Sequence, residues 1–306
     1  MFTFILRRLL LAIPVLFVVI SLTFLLMRLT PGNPFSADRA IPPAVLKKLE
    51  AKYQLNGTLW QQYTGYLSDL ARGDLRLSTK YLNRSVNEIL AQTLPVSATL
   101  GSLAFVIALG SGVVLGSYAA VHQNGWQDRA AMFTALLGIS LPAFILAPLA
   151  ILVFAIYLPI FPVAGWGDLD QIVLPAICLA LPFAATIARL MRTSMLEVLR
   201  LDFVRTARAK GLPEHVVIFR HALKVAILPV VSYSGPLAAS ILTGSIVVEQ
   251  IFKIPGLGPF FINSVLNRDL FMVGGTVLVY SVTLILFNIV VDVLYFVLDR
   301  RIKLDS

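Results

Sequence analysis

Apolar residues along this chain gather in long uninterrupted runs, and polar residues gather between them. About 20 apolar residues in helical form cross the roughly 30 Å hydrocarbon core of a bilayer, so each long run predicts a membrane-spanning helix. Six spans are expected, at about residues 9–29, 96–120, 131–158, 172–190, 226–248 and 272–298. Pro142 and Pro148 in the third span and Pro182 in the fourth are expected to kink or interrupt their helices, because proline removes a backbone donor and clashes with the preceding turn. The stretch from Pro31 to Pro95 has a different rhythm. "PPAVLKKLEAKYQL" puts Val45, Leu46, Leu49 and Tyr53 on one helical face after Pro43, and "LWQQYTGYLSDLARGDL" repeats the pattern with Leu59, Trp60, Tyr63, Tyr66, Leu67 and Leu70. Two amphipathic helices are expected there, either forming a small cap over the outer mouth of the bundle or lying at the lipid interface.

Composition sharpens the membrane reading. Hydrophobic residues make up 58% of the 306 positions and charged residues 13%, against about 25% charged in an ordinary soluble domain. The net charge of +9 comes from 25 basic and 16 acidic residues. In a soluble domain such an excess points to nucleic acid; in a membrane protein it follows from the retention of Lys and Arg in cytoplasmic loops. An N-terminus inside places Arg7, Arg8, Arg129, the run from Arg189 to Lys224, and Arg300, Arg301 and Lys303 in the cytoplasm. The short outer loops then keep only Lys253 and Arg268. Both termini are expected to be cytoplasmic. The first run follows Arg7-Arg8 as a secretory signal would, but it is longer than a signal core. Arg28-Leu29-Thr30-Pro31 lacks a small-residue cleavage pattern, so the run reads as an uncleaved span. The single cysteine, Cys178, permits no disulfide within the chain and reads as a small core hydrophobe.

Several chemistries find no pattern here. There is no G-x-x-x-x-G-K-[ST] phosphate loop, no H-E-x-x-H and no G-x-S-x-G elbow. His215 and His221 are spaced off a common helical face, and no Cys/His cluster offers a zinc site. Charged residues in the apolar runs lie near their ends, as Arg28, Arg189, Glu249 and Asp292 do, which argues against a proton-coupled carrier. Gly112-x-x-x-Gly116 and Ser240-x-x-x-Gly244 are small-residue pairs that permit close helix approach. The chain thus reads as a membrane body without its own energy source: a passive channel or packing subunit, or one to which a partner supplies energy.

The polar segment between the fourth and fifth spans, about residues 191–225, is the place where a partner could act. "TSMLEVLRLDFVRTARAKG" reads as a helix with Met195, Leu196, Leu199, Phe203 and Ala207 on one side and Arg200, Arg205, Arg208 and Lys210 supplying charge. Gly211 stops it, Pro213 opens the next helix, and "EHVVIFRHALKVAILP" returns towards the membrane. An amphipathic helix outside the bilayer offers an edge that a partner's groove can take.

At this point the wording resembles that of permease subunits of ABC importers, which carry E-A-A-x-x-x-G and, further on, I-x-L-P. Gly211 fits the glycine and Ala207 the second alanine; Thr206 replaces the first alanine, and Arg205 stands where the glutamate is expected. Ile227-Leu228-Pro229 is similar to the tail of the motif, displaced by several residues. "RTARAKGL…RHALK…LPV" departs from the general motif as the dipeptide and oligopeptide branch does. "RLTPGNP", "GDLRLST", "LPVSATLG" and "LTGSIVVEQIFKIPGLGPFF" resemble that branch too, so the likeness covers nearly the whole chain and is nearest to the first, B-type membrane subunit of bacterial oligopeptide permeases.

The resemblance implies an all-α integral membrane protein with the type I ABC importer permease fold, six transmembrane helices and a small helical extracytoplasmic segment after the first. The divisions it implies are a first transmembrane helix at 1–30, an extracytoplasmic segment at 31–93, a five-helix transmembrane domain at 94–298 with a coupling loop at 191–225, and a cytoplasmic tail at 299–306. It implies a non-catalytic subunit of the inner membrane that pairs with a second, homologous permease and works with two cytoplasmic ATPase subunits and an extracytoplasmic peptide-binding protein. Lipid surrounds it, and no nucleic acid is involved. No cofactor is expected on this chain, ATP and Mg being used by the partners. Coupling to an ATPase subunit is assigned to Phe203, Arg205, Thr206, Ala207, Arg208, Ala209, Lys210, Gly211, Leu212 and Pro213. Ala207 and Ala209 would let the helix sit close to the partner, and Arg205, Arg208 and Lys210 would meet acidic groups at the rim of its cleft. The function the resemblance implies is ATP-driven import of peptides, oligopeptides first, by alternating access; the same machinery for dipeptide, nickel or glutathione is the near alternative, and a passive channel or structural membrane subunit the remote one.

Overall fold

The computed structural model describes residues 2–29, 48, 51–53, 56–81 and 83–298. The elements named here are helices, and an antiparallel bridge joins Leu77 to Ser85. In chain order they are α1 (Phe2–Leu29), α2 (Leu59–Ala71), α3 (Val86–Val121), α4 (Trp126–Ser140), α5 (Ala143–Ile151, widened into a π turn over Leu152–Tyr157) and α6 (Leu169–Val198). Then come α7 (Asp202–Ala209), a return segment α8 built of Glu214–Val216, Val217–Ala222 and Leu223–Ala226, α9 (Leu228–Leu242), α10 (Ile246–Ile251), α11 (Leu257–Leu266) and α12 (Leu270–Leu298). Among the described residues five helices are long and apolar enough to cross a membrane, and the bent pair α4 and α5 makes a sixth crossing if taken as one span.

Local signals explain most boundaries. Ser85 and Glu88 form a capping box: the Glu88 N–H donates to Ser85 Oγ at 3.1 Å and the Ser85 N–H to Glu88 Oε2 at 3.3 Å. The helix therefore starts at Val86, well before the residue 96 expected from hydropathy, and runs through Pro95. It crosses the expected boundary at 93/94 because its first turns bury Val86, Ile89 and Leu90 against other helices rather than lipid. Pro142 breaks the third span as expected: Leu141 is extended (φ −93°, ψ 111°), as a residue before proline prefers, and α4 and α5 meet at 105°. Pro148 and Pro182, by contrast, lie inside α5 and α6 without ending them.

The helices pack in the order α1, α12, α9, α3, α6, α4. The seam between α3 and α6 is the closest. A Cβ on Gly112 would lie 2.7 Å from Ile187 Cβ, and one on Gly116 only 2.3 Å from Ala188 O, so both glycines serve the close approach their spacing announced. Ser240 and Gly244 do not act together as a helix-packing pair. Gly244 follows the end of α9 at φ +111°, and Ser240 lines a cavity of about 310 Å³ with Thr243, Thr276 and Tyr280.

At the end of the bundle that carries α2, aromatic contacts hold that helix to α1 and α12. Phe24 and Tyr63 have centroids 5.4 Å apart and Tyr66 and Phe271 6.2 Å. Arg76 lies over both Tyr66 and Phe271 while bonding Asp69 at 2.7 Å. Burial pushes the Tyr66 phenol up to about 12, with Arg76 opposing. The inward face carries Gln62, Tyr63, Tyr66 and Leu70 rather than the whole expected stripe; Leu59 and Trp60 are exposed. Tyr53 is buried in the same cluster, while Val45, Leu46 and Leu49 lie outside the described residues.

Candidate coupling site

At the opposite end, α6 continues past residue 190 to Val198, so the polar segment is not one helix from Thr193 to Gly211. Residues 199–201 turn the chain, and α7 starts afresh at Asp202. Met195 accordingly packs inside the bundle at 0% exposure, because it belongs to the span.

The eight-residue α7 ends in a Schellman turn. The Gly211 N–H donates to Arg208 O at 2.9 Å and the Leu212 N–H to Ala207 O at 3.4 Å. Gly211 supplies the left-handed residue that this turn requires, at φ +75°. Across the turn the Arg208 guanidinium donates two bonds to Glu214, at 2.6 and 3.1 Å. The Arg208 fork holds the Glu214 carboxyl below the usual carboxylate range, and the carboxylate raises Arg208 in turn. The pair braces α7 against α8 from outside. From inside, Val204 and Ala207 are buried in one cluster with Val217 and Ala222.

The assigned residues therefore divide. Ala207 is buried in this chain's own core, and Arg208 is engaged by Glu214. Phe203, Arg205, Thr206, Ala209, Lys210, Gly211, Leu212 and Pro213 stay exposed. The Arg205 guanidinium lies 3.5 Å from Asp202, its neighbour one turn back. Phe203, Leu212 and the unassigned Leu201, in and next to α7, and the unassigned Phe219 in α8, show apolar surface. Sequence reading missed Leu201 and Phe219 because it sought a helical stripe; the signal was large apolar side chains within a charged segment. Among the described residues no group of His, Cys, Asp and Glu is placed to hold a metal ion. The site is a rigid, basic, partly apolar knob.

Glu249 changes place as well. Hydropathy put it at the end of the fifth span, yet its side chain is fully enclosed. It accepts bonds from Ser97 Oγ at 2.8 Å, from the Gly258 N–H at 2.8 Å and from the Ser245 N–H at 3.1 Å. Ser97 Oγ in turn accepts from the Leu257 N–H at 2.8 Å. The carboxylate thus ties α10 and α11 to α3. A second carboxylate, Asp269, accepts from Ser78 Oγ, from the backbone of Thr79 and Lys80, and from the Met272 N–H, so it binds the 78–80 loop to the start of α12.

A bundle with this many long apolar helices is a multi-pass membrane protein. Residues 112–304 match the profile of the binding-protein-dependent transport system inner membrane component, and residues 1–100 match that of its N-terminal segment. The chain belongs to that family. It is 49% identical over 305 residues to the oligopeptide transport system permease protein OppB of Salmonella typhimurium, covering 99% of this chain and 100% of that protein. It is 46% identical over the same length to the protein of that name from Haemophilus influenzae, covering 99% and 100%. The dipeptide transport system permease protein DppB of Bacillus subtilis is 48% identical over 289 residues, 94% of each chain.

Proposed function

We propose that this chain is the membrane-spanning subunit of an ATP-driven, binding-protein-dependent importer that moves peptides, oligopeptides first, into the cell by alternating access. The observation that carries the reading is the full-length likeness to oligopeptide permeases, 49% identical over 305 residues. The dipeptide alternative draws on the Bacillus subtilis relative at 48%. The α7 end faces the cytoplasm, together with both termini, and the α2 end faces outward, in keeping with the Lys and Arg distribution. A second, homologous permease completes the path. Two ATPase subunits beneath bind ATP and Mg, this chain binding neither, and a peptide-binding protein delivers from above. The exposed residues of α7 and its turn dock in a cleft of an ATPase subunit, with Phe203 and Leu212 supplying apolar contact and Arg205 and Lys210 orientation. ATP-driven closure of the partners moves this knob and biases the spans between inward and outward access.

The test is uptake of labelled alanine peptides of graded length by proteoliposomes holding the complete complex. Uptake that requires ATP and falls off for dipeptides supports the oligopeptide reading, and preference for dipeptides selects the alternative. ATP-independent equilibration of peptide would overturn the importer.

A further inference from the structure

The knob leads directly into α6, and α6 carries a second connection that the likeness to permeases does not assign. The link at 199–201 is closed by hydrogen bonds: the Leu199 N–H donates to Met195 O at 2.9 Å, the Leu201 N–H to Val198 O at 3.0 Å, and the Val204 N–H to Leu201 O at 3.0 Å. A displacement of α7 therefore reaches α6 through a stiff joint. A short way back along α6, Arg192 grips Asp128 in the first turn of α4. Its Nε donates to Oδ1 and its Nη2 to Oδ2, both at 2.6 Å. The Asp128 side chain is 5% exposed and that of Arg192 25%. Oδ2 also accepts the Asn124 N–H at 3.0 Å, so the turn before α4 is fastened to the same carboxylate.

Such a fork fixes both distance and direction between two helices. It stands at one end of a seam of small residues, where Ala135 packs against Ala185 and Ala188. At the far end, a Cβ on Gly138 would lie 3.2 Å from both Ala185 Cβ and Leu181 O. The seam brings α4 close to α6 through small residues at its centre, with Met132 and Ile139 packed beside them; apolar packing of this kind is non-directional and sets axial position less sharply than a two-bond fork. The ion pair adds a fixed axial register to that packing. The grip stops at Ser140, where the chain turns through 105° into α5. Hinges fall at element ends such as this one.

Resting on the importer reading, we propose that Arg192 and Asp128 are a positioning pair that makes α4 follow α6 when the ATPase partner moves α7, so that the stroke is delivered to the break at residues 141–142. A buried charge left without its partner destabilises by itself, so the test must separate register from that penalty. The complete complex is reconstituted in proteoliposomes with Arg192→Ala, with Arg192→Lys, and with Asp128→Ala and Arg192→Ala together. Assembled complex, ATP hydrolysis and uptake of labelled alanine peptides are measured on each. The expected result is a peptide-to-ATP ratio lowered about tenfold by Arg192→Ala, within the range of measured couplings between sites, and lowered less by Arg192→Lys. The double substitution removes the unpaired charge, so it is expected to assemble normally and keep the low ratio. The proposal is overturned by an unchanged ratio in Arg192→Ala, by recovery of the ratio in the double substitution, or by failure of all three to assemble, which would assign the pair to folding. Absence of ATP-driven uptake by the unsubstituted complex would strike the importer reading instead, so the two failures are distinct.

Discussion

Two turns of this protein use a glycine in the left-handed region for opposite reasons. After α7, Gly211 (φ +75°) stands in open space, with nothing within 4 Å of where a Cβ would be. After α9, Gly244 (φ +111°) is enclosed, and a Cβ there would meet Glu249 Oε1 and the Gly258 nitrogen at 3.1 Å and Ser97 Oγ at 3.2 Å. The first turn needs a backbone shape and nothing else, as suits a knob whose surface is left for a partner. The second needs both shape and room, as suits a hairpin locked around a buried carboxylate. A glycine in a turn thus says little until its surroundings are known.

The largest expected effect tests the locked turn. Glu249→Ala leaves the Ser97 hydroxyl and the Ser245 and Gly258 N–H groups without their acceptor. Buried groups of this kind cost about 1–3 kcal/mol each, so a loss of roughly 3 kcal/mol or more is expected. It should be read as a clear fall in the melting temperature of the detergent-purified protein, and an unchanged value would break the comparison. Ala207→Arg comes next. Because Ala207 is 5% exposed, a large cation there overpacks the joint between α7 and α8, at about 1–3 kcal/mol. Less protein should be recovered, whereas Ala209→Arg, on the open side, should leave recovery intact and weaken ATPase attachment in a pull-down.

Gly211→Val forces a β-branched residue into the left-handed region, at roughly 1–2 kcal/mol. Peptide uptake per ATP should drop while membrane insertion holds, and Gly211→Asn should remain near the unsubstituted level. Equal defects in both would mean that the turn requires glycine for room after all. The smallest effect concerns the Arg208–Glu214 brace. The folded-state pKa of Glu214 is depressed, so its contribution is full above the ordinary value of about 4.3 and vanishes as pH falls through the lower, folded value. The side chains are 42% and 54% exposed, and screening limits the contribution to under about 1 kcal/mol. Glu214→Gln should lower the melting temperature slightly at neutral pH, and the difference should close below the carboxylate range.

Much of this was legible in residues near each other in the chain. The stop at Gly211, the restart at Pro213, the break at Pro142 and the close approach at Gly112 and Gly116 follow from local rules of backbone shape and side-chain size. The start of α3 was legible too, through the Ser85-x-x-Glu88 capping box, but apolar run length hid it because the first turns bury against protein. Which face of α7 turns inward was not legible: Phe203 and Ala207 share the apolar pattern, and only contact with Val217 and Ala222 selects Val204 and Ala207 for burial.

By itself the sequence determined that the chain spans the membrane with helices, where the polar segments fall, and that one of them carries a helix, a stop and a return. Those follow from transfer free energy and backbone geometry, which act residue by residue. Tertiary structure alone decided that Glu249 is a fastening rather than a helix-end charge, that Asp269 ties the 78–80 loop to α12, and that Arg192 faces Asp128. The physical reason is the same in each case. A charge inside a bundle is tolerable only where donors or a counter-charge converge on it, and those partners lie 152 residues away for Ser97 and Glu249 and 64 for Asp128 and Arg192.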